Sequence, residues 1–169
     1  MRGKIECKKL EPAILDIRTT PSFDGLVPAS PSSSRAKQRN RSKDTAHELA
    51  LRKLLWGIGL RYRKNVGDLP GKPDIVFLRE RVAIFCDGDF WHGRNWDSLS
   101  QKLSTGNNPS YWVQKIRSNR ERDLRNNRRL SDLGWLVLRF WETDMHGSPD
   151  TIIAEIILSA LRKRNPPIA

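Results

Sequence analysis

Asp74 and Asp87 stand thirteen positions apart in the segment LPGKPDIVFLRERVAIFCDGDFWHG, residues 69–93, each at the border of an apolar run. Two carboxylates brought side by side make a cluster of hard oxygen donors. Such a cluster suits a divalent cation like Mg²⁺, which keeps several waters and binds phosphate oxygens. The chemistry this points to is phosphodiester hydrolysis with one or two such ions. His92 follows closely, and an imidazole titrating near neutral pH can activate a water or protonate a leaving oxygen. Each residue also has a plainer reading: Asp74 as the polar start of a strand after Pro73, Asp87-Gly88 as a turn, His92 as a loop histidine.

The elements around them favour chemistry. Asp74-Ile75-Val76-Phe77-Leu78 and Val82-Ala83-Ile84-Phe85-Cys86 read as strands joined by Arg79-Glu80-Arg81, and two adjacent strands carry both carboxylates to one end. Upstream, Leu51, Leu54, Leu55 and Ile58 fall on one face of a helix expected to end between Gly57 and Gly59. Downstream, Arg94 to Asn108 reads as a polar loop. A helix from about Pro109 then carries Trp112, Val113, Ile116 and Leu124 on its apolar side, and Gly134 stops it. Trp135 to Trp141 is a third strand, and after Ser148 and Pro149 a last helix repeats Ile152, Ile153, Ile156, Ile157, Ala160 and Leu161 as a core stripe. The order helix, strands, helix, strand, helix describes an α/β fold with a mixed central sheet flanked by helices.

Composition limits the partners. The 169 residues suit one domain, read as a Pro- and Ser-rich flexible leader over 1–34 and a folded domain over 35–169. Lys and Arg number 31 against 19 acidic residues, a net charge of +12, so the expected partner is a polyanion, nucleic acid before membrane. No apolar stretch approaches the roughly 20 residues of a membrane span, and a cytoplasmic, nucleoid-associated protein is expected. Cys7 and Cys86 suggest no disulfide framework, and with three scattered histidines they suggest no zinc cluster.

With Asp74, Phe90-Trp91-His92, Asn119-Arg120-Glu121-Arg122-Asp123 and Leu133-Gly134-Trp135 in view, the chain resembles the very-short-patch-repair (T:G mismatch) DNA endonucleases. The resemblance runs from about Arg41 to Glu142, and Leu69-Pro70-Gly71-Lys72-Pro73-Asp74-Ile75-Val76 is its most specific stretch. That family is similar in fold to restriction endonucleases of the PD-(D/E)xK type and nicks DNA beside the mismatched thymine using Mg²⁺. The resemblance implies a metal-binding catalytic Asp74, a catalytic His92, a supporting acid at Glu48, and an aromatic wedge at Phe90 and Trp91 that enters the base stack. It also implies a monomer acting on double-stranded, mismatch-containing DNA, with repair or methyltransferase partners.

Two departures stand out. Asp87 occupies the position of the family's first catalytic histidine, adding charge to the metal site rather than a cationic stabiliser. Asp89, Arg94 and Trp96 stand where the family carries cysteine and histidine ligands, so no structural zinc is expected, and Trp96 packing into the core is the simplest substitute.

The remaining candidates carry plainer alternatives. Thr45-x-x-Glu48 is equally a helix capping box. Phe90 and Trp91 are either core aromatics or the wedge, and their burial separates the two. Lys72 is a phosphate contact or a solvated loop lysine, and the run containing Lys115, Arg120 and Arg122 is a solvated face or a phosphate-binding one. The functions in contention are a Mg²⁺-dependent nicking endonuclease at T:G mismatches, a sequence-specific restriction or general nicking enzyme on the same scaffold, and a DNA-binding module with an inactive nuclease site.

Overall fold

The computed structural model describes residues 21–22, 44–147 and 150–164. Nearly all of the expected leader, the segment 41–43 and the Ser148-Pro149 helix start lie outside the described residues. The elements are α1 (Ala46–Gly57), β1 (Arg63–Lys64), β2 (Ile75–Phe77), β3 (Val82–Asp87), α2 (Trp96–Ser104), α3 (Pro109–Asp132), β4 (Leu136–Trp141), α4 (Glu142–Gly147) and α5 (Asp150–Arg164).

The four strands form one mixed sheet in the order β1-β2-β3-β4. The first three are antiparallel and β4 joins parallel to β3, with Phe85 opposite Arg139 and Asp87 opposite Trp141. A parallel neighbour needs a long crossover, and α2 with α3 supplies it. Alternation along β3 assigns the faces. Val82 and Ile84 point into a core with Leu51 and Leu55 of α1 and Ile153, Ile157 and Leu161 of α5. Ala83 and Phe85 point the other way, against Leu130 of α3. Asp87 continues this second face, and so emerges beneath α3.

Local signals set the element ends. Asn108 takes a left-handed conformation and Pro109 begins α3, where its missing N–H costs nothing. Gly134, at φ +78°, lets the chain turn directly into β4, with the Trp135 N–H donating to the Leu130 carbonyl at 3.0 Å.

The structure corrects several sequence-based expectations. Residues 96–104, read as loop, form α2: Trp96, Leu99 and Leu103 have helical spacing, but the polar residues between them masked it. Leu124 is exposed, because α3 turns its Tyr111, Ile116 and Leu130 inward instead. Ile152, Ile156 and Ile58 are exposed as well, so only Ile153, Ile157, Ala160 and Leu161 of the α5 stripe are core. A helix covering one face of a four-stranded sheet buries a narrower stripe than its apolar residues offer.

Candidate active site

Asp74 immediately precedes β2 because the turn before it sets it there. Gly71 and Lys72 both have positive φ, the Lys72 N–H donates to the Leu69 carbonyl at 3.0 Å, and Pro73 is fully buried. The Asp74 N–H donates to the Ile84 carbonyl at 3.0 Å, and Asp74 Oδ2 accepts the Cys86 N–H at 2.8 Å, one residue before Asp87. The two adjacent strands thus bring the carboxylates into electrostatic contact. Burial pushes the Asp74 carboxyl above its ordinary value; the Cys86 N–H opposes this, the Asp87 charge adds to it, and Arg52 and His92 oppose it.

Asp87 is only 2 % exposed. Its buried charge is met by Arg139, whose Nε and Nη2 donate to Oδ2 and Oδ1 at 2.5 and 2.7 Å. The pairing follows from register: Arg139 lies opposite Phe85, over whose ring its guanidinium sits at 4.6 Å, and reaches along the same face to Asp87. Arg139 also donates to Asn127 of α3 at 3.0 Å.

His92 completes the group. Its Nδ1 lies 2.6 Å from Asp123 Oδ2 and 3.5 Å from Asp87 Oδ1, while Nε2 makes no bond to either. A carboxylate on Nδ1 fixes the ring orientation and keeps the proton on that nitrogen, leaving Nε2 to exchange one. Burial pushes Asp123 up, but its His92 hydrogen bond and the charges of His92, Arg139 and Arg122 outweigh this and hold the carboxyl below its usual range. Asp87, His92, Asp123 and Arg139 line a cleft of about 560 Å³ together with Arg120 and Trp141. Sequence reasoning missed Asp123 and Arg139 in these roles. Asp123 sat in a recognised motif, but nothing there said it faces His92; Arg139 had a signal in being the one cation inside an otherwise apolar strand.

Glu48 lies apart from this cleft. It is 2 % exposed, accepts the Thr45 N–H at 3.3 Å as part of a capping box, and pairs with Arg52. Arg52 in turn reaches Asp44 at 2.5 Å, and its charge acts on Asp74. The capping interaction is therefore present, and the carboxylate is already engaged.

Of the nucleic-acid candidates, Arg120 lines the cleft, and Phe90 and Trp91 immediately precede His92 in the chain. Phe90 is 38 % exposed and Trp91 half-buried, and with Trp112 they form a triangle of rings whose centroids lie 5.2, 5.5 and 5.9 Å apart. They are not core aromatics. Buried Asn119 donates to the Trp91 carbonyl at 2.9 Å and fixes this loop on α3. Lys72 and Arg122 are exposed. Burial, and then Arg122, lower the proton affinity of Lys115. Arg120 lies over the Trp96 ring at 4.9 Å, so it packs within the loop as well as lining the cleft.

Sequence comparison identifies the scaffold. The family model for the DNA mismatch endonuclease Vsr matches residues 28–98. The type II nicking enzyme V.NmeDIP of Neisseria meningitidis serogroup C is 45% identical over 127 residues, which cover 75% of this chain and 84% of that protein. The chain belongs to the Vsr family. The type II nicking enzyme V.HpaIIP of Haemophilus parainfluenzae is 42% identical over 120 residues, 71% of this chain and 84% of that protein. The DNA mismatch endonuclease Vsr of Escherichia coli (strain K12) is 40% identical over 106 residues, 63% and 66% respectively. As a Vsr-family member the protein is a DNA endonuclease, a hydrolase, and its mixed sheet with flanking helices is the restriction-endonuclease-like arrangement expected. No helix among the described residues is long and apolar enough to cross a membrane.

Within the Vsr family the loop after His92 is held here by charge. Trp96 does not enter the core; it is half-buried under Arg120. Instead Arg94 reaches Asp144 at 2.6 Å and Asp89 at 3.7 Å, and Asp89 Oδ1 accepts the Thr143 N–H at 3.4 Å. These contacts tie the loop to the corner after β4. Gly93, at φ +69°, completes the packing: a Cβ there would stand 2.6 Å from Arg120 Cδ and 3.0 Å from Ile116 Cγ2.

Proposed function

We propose that this Vsr-family endonuclease is a divalent-metal-dependent, strand-nicking enzyme that acts beside T:G mismatches in double-stranded DNA. The observation that supports it best is the convergence of Asp74, buried Asp87 and the Asp123-oriented His92 at one end of the sheet, beside partly exposed Phe90 and Trp91.

The donor set fits a hard cation. Asp74 commits Oδ2 to one N–H, and each carboxylate oxygen of Asp87 retains acceptor capacity beyond its Arg139 bond. The mutual repulsion of the two carboxylates is what a divalent ion relieves. Asp74 and Asp87 would hold Mg²⁺, which supplies Lewis-acid stabilisation of charge on the phosphate oxygens. His92 passes a proton at Nε2 to or from the reacting oxygen, with Asp123 holding the ring. Arg139 fixes Asp87. Glu48 acts at one remove, by holding Arg52 whose charge reaches Asp74. Phe90 and Trp91 press into the base step, which costs least to unstack where pairing is already imperfect. Lys72, Lys115, Arg120 and Arg122 contribute phosphate contacts.

A second reading, a nicking enzyme without mismatch preference, is kept because several relatives are named type II nicking enzymes. One assay separates the readings: a labelled duplex with a single T:G mismatch and matched T:A and C:G controls, in Mg²⁺, with wild type and Asp74→Ala. Strand-specific nicking beside the mismatched thymine, lost in Asp74→Ala, is the expected result. Equal cutting of all duplexes removes the mismatch claim, and tight binding without cleavage in any divalent metal removes the nuclease mechanism.

A further inference from the structure

Two histidines far apart in the sequence meet at the corner where β4 ends. His47 lies in the first turn of α1, and Glu142 and His146, four residues apart, share one face of α4. One potential ligand atom from each lies within 4.8 Å of the others. Histidines scattered along the sequence are thus brought together by the fold, His47 standing 95 and 99 positions before Glu142 and His146. His47 Nδ1 stands 3.8 Å from Glu142 Oε1, and the two imidazole rings meet edge to face with centroids 6.4 Å apart.

The geometry points to a binding site for a borderline divalent transition cation, Zn²⁺ in the first instance, formed by His47, Glu142 and His146. Two imidazoles and one carboxylate are suitable ligands, with a water in the fourth position. Metal–ligand bonds of about 2.0–2.2 Å imply donor separations of about 3.4 Å in a tetrahedral site. Glu142 and His146, on the open side of α4, therefore close by roughly an ångström while His47 stays fixed.

The orientation of His47 is the second observation. Its Nε2 lies 3.1 Å from Thr45 Oγ1, the outer hydrogen bond that ligating histidines commonly make, and this turns Nδ1 toward Glu142. With the proton on Nε2, a lone pair would face a carboxylate oxygen, and a cation between them resolves the conflict. A neutral ring with its proton on Nδ1, and Nε2 accepting from the Thr45 hydroxyl, would also resolve it as a simple hydrogen bond to Glu142, but it would give His146 no role. The cation uses all three groups.

The site belongs to neither carboxylate of the nuclease cleft, yet it touches the framework of both ends. His47 precedes Glu48, and Glu142 Oε2 lies 3.7 Å from where a Cβ on Gly88, next to Asp87, would be. A bound ion would staple α1 to the β4–α4 corner. Its role is structural.

The test uses the full chain, stripped with chelator, in an Asp74→Ala background so that the nuclease metal does not contribute. Calorimetry with Zn²⁺ and visible absorption with Co²⁺ read occupancy, and thermal midpoint reads the staple. One equivalent of Zn²⁺, a four-coordinate Co²⁺ spectrum and a raised midpoint are expected. His146→Ala and Glu142→Gln, both on the open side and tolerable to the fold, should each weaken Zn²⁺ binding more than about tenfold, a loss of the size seen even for supporting contacts. The proposal is overturned if Zn²⁺ fails to bind in the micromolar range, or if binding is indifferent to both substitutions, as a simple His47–Glu142 ion pair predicts.

Discussion

Replacing Arg139 by Met removes the only guanidinium that reaches both oxygens of Asp87 among the described residues, while keeping much of the side chain's length. It also removes the bond to Asn127 and a 3.5 Å approach to Asp123. Among the described residues, Asp87 would keep the ring nitrogen Nδ1 of His92, 3.5 Å away, as a neighbour in place of the lost guanidinium. Breaking a buried pair by removing one partner typically costs about 3–5 kcal/mol. Because the Arg139 side chain is 18 % exposed, the low end applies, about 3 kcal/mol. For a chain of this size that is a fall of roughly 6–12 °C in Tm, at about 2–4 °C per kcal/mol. The assay is thermal and urea unfolding of the metal-free protein, run beside the double variant Arg139→Met/Asp87→Asn. The double variant should recover much of the loss, because the uncompensated charge has gone. Mg²⁺ at about 100 times its Kd should restore about 2.7 kcal/mol to the single variant and little to the double. A single-variant loss below about 1 kcal/mol, or a double variant no better than the single, would refute the view that Arg139 offsets a buried Asp87 charge.

Other perturbations follow from the same geometry. Asp123→Asn removes the charge that holds the His92 proton on Nδ1, and should lower the nicking rate by about 10²-fold or more with DNA affinity unchanged, measured by single-turnover kinetics and gel shift. Asp74→Asn should abolish nicking yet raise the metal-free Tm at neutral pH. The Asp74 pKa is raised by burial, so its ionised form opposes folding; the gain should shrink as pH falls through that raised pKa and wild type becomes protonated. Asp123 runs the other way: its carboxyl is depressed, so it contributes stability that is present above the ordinary carboxylate pKa and lost as pH falls through the depressed value. Asp123→Asn should therefore flatten the acid limb of a stability–pH curve. Gly93→Ala combines a positive φ with a 2.6 Å overlap on Arg120, and should destabilise by about 1–3 kcal/mol in denaturant unfolding, whereas Gly57→Ala, with open space around it, should not.

Residue order alone determined much of this protein. Apolar runs of four and five residues bordered by charged or glycine-bearing turns define β2 and β3, an aromatic and aliphatic run broken only by Arg139 defines β4, and the Pro-Asp and Asp-Gly borders place both carboxylates at strand ends. Those features are local, and the motifs around Asp74 and His92 carried the family with them. The tertiary structure decided what each side chain faces. Arg139 finds Asp87 only because β4 adds parallel to β3 in one register, and Asp123 finds His92 only because α3 lies over the second face of the sheet. Trp96 was expected in the core, but the Arg94 ion pairs hold its loop and leave the ring half-buried beneath Arg120. His47 and His146 became neighbours through the packing of α1 on α4, a contact that no periodicity along the chain encodes. Periodicity reports which side of an element is apolar; pairing between charged groups distant in sequence depends on register and helix placement, which arise only when the whole core closes.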